Sequence, residues 1–211
     1  MENTTVKNLL VIVFLLALKM SQAQDTVCTI ELGENQLMYR NIENLVTINS
    51  NLSPTDFKIV FKNCDSIRQI ESKKQFSIIP GRGRVATVNL IDSQDSSIVY
   101  YSKTLKIEYL PNPELFYGMS INGSKITPST GHLFAKYPPS HNLLSLNDSF
   151  EILNWKIIIE DKVFEGDGNS ISEDVKKELK ENNNTEFISV LAVVEGPDGL
   201  VRKIGGVYNM R

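Results

Sequence analysis

The chain has 211 residues, with 22 basic and 25 acidic side chains and a formal charge of −3. That balance, with lysines spread along the chain, excludes the basic surface that non-specific binding to nucleic acid or an anionic membrane needs. Two cysteines far apart and two histidines leave no Cys-X-X-Cys redox or zinc spacing.

The N-terminus reads as an export signal. Residues 9–18, LLVIVFLLAL, form an apolar run behind Lys7, and Ser21 and Ala23 supply the small residues of a cleavage site. The signal peptide is therefore residues 1–23 and the mature chain begins at Gln24. The run falls short of the roughly 20 residues that span a bilayer. No later segment is longer and as apolar, so no membrane span is expected after signal removal. The periplasm is the expected compartment, with the cell surface as the alternative. Cys28 and Cys64 both remain in the exported chain. An oxidising compartment allows them to pair, and two free thiols are the other reading.

Residues 24–111 carry strand signals almost throughout. TVCTIEL places Cys28, Ile30 and Leu32 on one face, and DFKIVFK does the same for Phe57, Ile59 and Phe61. RVATVNL aligns Ala86, Val88 and Leu90, and TLKIEYL aligns Leu105, Ile107 and Tyr109. A period of two marks strands with one packed face. NLSPTD, IPGRGR and IDSQDSS between them are turn material. Many short strands in so short a stretch predict an immunoglobulin-like β-sandwich.

The strand pattern stops at Leu110, Pro111, Asn112 and Pro113, which are assigned as an interdomain junction. Each proline fixes its own φ and biases the preceding residue toward extended backbone. Such a connector is short and stiff, unlike a long Gly/Ser linker.

Residues 112–211 form the second, smaller domain, expected to be α+β or mainly β with one short helix. Asn122-Gly123 is a tight-turn signal. FEILNWKIIIED alternates, with Leu153, Trp155, Ile157 and Ile159 on one face, and TEFISVLAVVEG reads as a central strand. The helix lies in SISEDVKKELKEN. Ser170 and Glu173 have capping-box spacing, and Ile171, Val175 and Leu179 form a narrow apolar stripe. GPDG then turns the chain into LVRKIGGVYNM. The whole chain is mainly β.

The search for chemistry assigns no catalytic, cofactor-binding or metal-binding residue, and no enzyme is expected. His132 and His141 have no recognisable partners. GRGR at 81–84 lacks the spacing and following helix of a phosphate loop. EGDGNSISED has Ser170 where a calcium loop needs glycine and Lys176 at its twelfth position. Tyr100, Tyr101, Tyr109 and Tyr117 serve equally as a carbohydrate-stacking platform or as core. Asn51-Leu52-Ser53 matches a glycosylation acceptor.

Three separated phrases resemble a known family. LMYRNIENLVTINS (37–50), LKIEYLPNPEL (105–115) and VVEGPDGLVRKIG (193–205) are similar, in order and spacing, to the C-terminal periplasmic part of GldM, also called PorM. GldM belongs to the type IX secretion and gliding-motility machinery. The resemblance covers roughly residues 30–208 and makes residues 112–211 a GldM C-terminal-like domain. It implies a non-catalytic structural or adaptor module, GldK/GldN-like protein partners and a homodimer. It does not carry motor function, because the chain retains no motor helix and no upstream shaft domains. Asn112 also stands where the family has Asp. The alternative is a carbohydrate- or surface-binding accessory protein.

Overall fold

A computed structural model describes residues 28–32, 36–70, 74–140, 143, 146, 149–182 and 185–210. The signal-peptide reading and His141 lie outside these.

The first eight strands are β1 (Cys28–Leu32), β2 (Leu37–Tyr39), β3 (Asn44–Ser50), β4 (Phe57–Lys62), β5 (Cys64–Gln69), β6 (Gln75–Pro80), β7 (Val85–Asp92) and β8 (Val99–Glu108). They form two four-stranded sheets, ordered β1-β3-β6-β5 and β2-β8-β7-β4. All ladders are antiparallel except the parallel β2–β8 pair. The two sheets enclose one core, in which Ile30, Val46, Ile48 and Ile78 from the first pack with Ala86, Val88, Leu90 and Leu105 from the second. This is the β-sandwich that the alternating residues dictate. One alternation ends early. Leu105 and Ile107 are buried, but Tyr109 is 61% exposed, because β8 stops at Glu108.

The remaining elements are β9 (Glu114–Tyr117), β10 (Leu133–Lys136), β11 (Glu151–Ile159), β12 (Lys162–Asp167), helix α1 (Glu173–Glu181), β13 (Phe187–Glu195) and β14 (Val201–Asn209). Sheet order is β10-β9 and β12-β11-β13-β14, all antiparallel. A second core lies between these sheets and the helix. It holds Leu115, Tyr117, Leu133, Trp155, Ile157, Val175, Leu179, Val190 and Tyr208. β13 is central, as its apolar run requires, with Ile188, Val190, Ala192 and Val194 buried.

Two local readings are corrected here. On β11 the buried face starts with Ile152 rather than Leu153, because a register shift between Ile152 and Asn154 inserts an extra residue. The helix cap is Ser172, not Ser170, and its side chain accepts from the Val175 N–H. Ser170 is held in extended backbone by its bridge to His132 and by the Trp155 indole N–H, which donates to its carbonyl at 3.2 Å. The helix therefore starts two residues later. Asp174 and Glu173 still sit in its first turn, where the helix dipole favours them.

Trp155 also fixes its neighbour across the ladder. A Cβ on Gly166 would lie 2.3 Å from the indole ring. Gly166→Ala should therefore destabilise the fold by about 1–3 kcal/mol, as overpacking does. Denaturant unfolding followed by Trp155 fluorescence measures this, and an unchanged midpoint would refute the assigned packing.

Candidate functional site

The chain leaves the first sandwich after Glu108 and enters β9 at Glu114, and the segment between is held at both ends. Leu110 is buried with Tyr137 and Leu143 in a small third cluster, flanked by Tyr39 and Ile42 from the first sandwich and Phe150 from the second half. Pro113 is buried, whereas Pro111 and Asn112 are exposed. The Tyr137 hydroxyl donates to the Pro111 carbonyl at 2.9 Å. Burial pushes the Tyr137 hydroxyl up to about 12, so it keeps this proton.

A further contact with this segment comes from the β13–β14 turn, residues 196–199, and the start of β14. Gly196 N–H donates to the Leu200 carbonyl and Gly199 N–H to the Gly196 carbonyl, with Gly199 at φ 69°. This turn points Asp198 back at Arg202. Arg202 Nη1 donates to Asp198 Oδ1 at 2.8 Å and Nη2 to Oδ2 at 2.5 Å. The two side chains are 8% and 0% exposed. The Arg202 Nη2 also reaches the Leu110 carbonyl at 3.4 Å, and Asn41 Nδ2 donates to the Asp198 carbonyl at 3.2 Å. Arg202 thus reaches from this turn to the linker, and the Asp198 backbone carbonyl takes the Asn41 side chain of the β2–β3 loop. On the other side of the linker, Arg40 stacks its guanidinium 5.0 Å over the exposed Tyr109 ring and donates to the Gly83 carbonyl.

Burial pushes the Asp198 carboxyl up. The bonds from Arg202 and the Leu200 N–H more than offset this and leave it below its ordinary 3.8. Its contribution to stability is therefore complete above that ordinary value and is lost as pH falls through the lower folded value.

The second candidate feature is the outer face of the β12-β11-β13-β14 sheet. The ladders set side chains on this face in rows. Val163, Ile158, Ser189 and Val207 form one row. Glu165, Lys156, Leu191 and Gly205 form the next, and Asp167, Asn154, Val193 and Lys203 the third. Val163, Phe187, Leu191, Val201 and Val207 are each 45–59% exposed. Lys156 pairs with Glu165 at 2.8 Å. A shallow concavity of about 620 Å³ lies on this face between Lys156, Glu165, Leu191 and Lys203. No single sheet strand reads as an exposed apolar patch; the patch arises only when four strands are aligned. A smaller groove of about 520 Å³ lies between β10 and the start of β11. Phe134 lines it, with Lys136 Nζ 4.8 Å over the ring.

Cys28 and Cys64 are free thiols. They lie on β1 and β5, the opposite edges of one sheet. Three strand spacings of about 4.8 Å separate these strands, beyond the Cα distance of about 4.4–6.8 Å that a disulfide spans. Of the two alternatives the sequence leaves open, the structure holds the unpaired one. Cys28 Sγ lies 3.2 Å from Ser50 Oγ, and burial pushes the Cys64 thiol up. Tyr117 is buried, Tyr100 and Tyr101 pack against the first core, and Tyr109 is exposed under Arg40. These four tyrosines form no common platform. The GRGR turn is built on Asn63, whose side chain donates to the Val85 carbonyl and accepts from Gly83 N–H. His132 is exposed, 6.3 Å from the Phe134 ring. Among the described residues no group of three or more His, Cys, Asp or Glu is placed to hold a metal ion. Among them, too, no helix is long and apolar enough to cross a membrane.

No family model matches the chain, and no curated protein matches it. Solved structures with some likeness include the Yersinia pseudotuberculosis adhesin InvE, at 11% identity and a TM-score of 0.29, over 89% of this chain and 61% of that one. Cadherin domains 3–6 of protocadherin gamma B2 align at 10% identity and a TM-score of 0.30, over 88% of this chain and 50% of that one. The fibronectin(III)-like modules of Clostridium thermocellum CbhA align at 10% identity and a TM-score of 0.24, covering 87% and 94%. The chain thus spans about half to three-fifths of the first two. Among the described residues the protein is a mainly β chain of stacked sheets with one short α-helix, and its first eight strands form an immunoglobulin-like sandwich.

Removing one partner of the junction pair leaves the other buried and uncompensated. Asp198→Ala should cost about 3–5 kcal/mol. In Asp198→Asn the wild-type loss of stability below about pH 4 should be reduced. Unfolding midpoints across pH check both, and an equally steep acid loss in Asp198→Asn would contradict the assignment.

Proposed function

We propose that the protein is an exported, non-catalytic contact module. It works by binding a protein or a surface through the outer face of the β12-β11-β13-β14 sheet. The observation that carries this reading is that exposed Val163, Phe187, Leu191 and Val207 share one face of the sheet. Exposed apolar side chains gathered on one face mark contact sites more often than scattered ones do. The flanking Lys156–Glu165 pair and Lys203 supply a polar rim of the kind that fixes orientation. The junction contacts then set the direction in which that face points.

A narrower form of the same reading places the module in a type IX secretion or gliding machine, with GldK/GldN-like envelope proteins as partners. The three phrases at 37–50, 105–115 and 193–205 support it. In the structure the third phrase carries both members of the junction pair, and the second carries the carbonyl that receives it. A homodimer also has a feature in its favour. Asp167 on β12 and Lys203 on β14 share a row at opposite edges of the sheet. A two-fold axis parallel to the strands would set each acid opposite a base. The second reading, a carbohydrate- or surface-binding accessory, is favoured by the groove at Phe134.

A photoreactive amino acid in place of Leu191, with a matched one at exposed Leu45 on the first sandwich, tests the proposal in the native envelope. A protein adduct from position 191 and none from 45 is expected. Leu191→Asp should weaken capture at least about tenfold, as loss of a central contact does. No adduct at 191, together with retention on polysaccharide that Phe134→Ala abolishes, would overturn the sheet-face reading in favour of the groove.

A further inference from the structure

Asn122 and Gly123 sit at the centre of a tight turn, in which Ser124 N–H donates to the Ile121 carbonyl and Gly123 has φ 81°. The turn does more than reverse the chain, because residues 121–126 lie along the free side of β14 as a strap. Gly123 N–H donates to the Val207 carbonyl at 2.7 Å. Asn122 Oδ1 accepts from the Val207 N–H, also at 2.7 Å. Asn209 Nδ2 donates to the Gly123 carbonyl at 2.6 Å, Asn209 N–H to the Ser124 carbonyl, and Ile126 N–H to the Asn209 carbonyl.

These bonds bear on a reaction that the residue pair invites. Glycine carries no Cβ to hinder its own nitrogen, so in an Asn-Gly pair that nitrogen reaches the preceding carboxamide readily. Gly123 N would bond to Asn122 Cγ while the carboxamide C–N bond breaks. The proton of Gly123 leaves with the amide nitrogen as ammonia. Water then opens the resulting succinimide at either carbonyl, giving aspartate or isoaspartate. The only co-reactant is solvent, and both residues are exposed, with nothing within 4 Å of a Cβ built on Gly123. In the fold the attacking nitrogen and the carboxamide oxygen are both tied to Val207. Attack requires both bonds to open.

We propose that Asn122 is a latent deamidation site that β14 holds closed, and that its conversion to isoaspartate releases the strap from β14. Isoaspartate routes the main chain through the former side chain. This adds a methylene between the two residues that anchor to Val207, and it adds a negative charge. The paired bonds to Val207 cannot both be kept. Release bares the backbone of β14 beside exposed Val207 and Leu191, and an unpaired strand edge is itself a template for another chain.

The test compares the wild-type chain, folded and in guanidinium, at one pH and temperature. Peptide mapping by mass spectrometry and enzymatic isoaspartyl methylation follow Asn122. The folded chain should convert about thirtyfold more slowly, since two hydrogen bonds must open first. Folded Asn209→Ala, which loses the bond to the Gly123 carbonyl, should convert faster than folded wild type. In the isoaspartyl fraction, the Val207 and Asn209 amides should exchange hydrogen faster. Equal conversion in folded and unfolded wild type would overturn the closed site, and this comparison needs no variant to fold. Unchanged exchange at Val207 and Asn209 after conversion would overturn the release.

Discussion

The arrangement of this chain depends on one buried ion pair. Asp198 and Arg202 are four residues apart, on and just after a hairpin turn, and both side chains are shielded from water. Taking two charges out of water is costly, and their attraction repays it only with good geometry and further hydrogen bonds. Both conditions hold. The guanidinium meets the carboxylate through two nitrogens, and its remaining reach goes to the Leu110 and Leu200 carbonyls. The bond from Arg202 to the Leu110 carbonyl and the bond from Asn41 to the Asp198 carbonyl form only when the β13–β14 turn, the linker and the β2–β3 loop occupy one arrangement. The prolines at 111 and 113 limit the linker, and the ion pair selects among what they allow.

This constraint connects packing to function. The proposed contact face includes the two strands whose turn carries Asp198. β13 supplies Leu191 and Phe187, and β14 supplies Val201, Lys203 and Val207. The inner faces of those strands bury Val190, Ala192, Val194 and Tyr208 in the second core, so the outer face has a rigid backing. The Tyr208 hydroxyl donates to the Leu115 carbonyl at 2.5 Å, which holds β14 to the strand that follows the linker. A partner that engages Leu191 is thus mechanically linked to the first sandwich through a short chain of buried contacts.

Much of the fold was legible because a two-residue period reports directly on a half-buried strand. Cys28, Ile30 and Leu32 on β1 and Ala86, Val88 and Leu90 on β7 carry it, and the continuous apolar run at 190–194 marks β13 as central. The helix stripe at Val175 and Leu179 was equally plain. What was illegible depended on registry between distant segments. The bulge at Ile152–Asn154 exists because β11 pairs with β13, so nothing within FEILNWKIII announces it. Ser170 looked like a cap until Trp155 and His132 claimed its backbone. Two prolines mark the segment between β8 and β9 in the sequence, but nothing there points to the Arg202 contact. Asp198 lies in the GPDG turn and Arg202 in the segment after it, and only folding brings Arg202 to Leu110, 92 residues away. The contact face was hidden likewise, since Val163, Leu191 and Val207 sit in three separate strands.

The central claim is that the first sandwich and the sheet bearing Leu191 are held in one orientation through the Asp198–Arg202 clamp. Residual dipolar couplings of backbone amides from β3, β6 and β7 on one side and β11, β13 and β14 on the other test this most directly. A single alignment tensor should fit both sets in the wild-type protein, and Asp198→Asn should split them into two. Two distinct tensors in the wild type would contradict a fixed junction and, with it, the account of how the contact face is aimed.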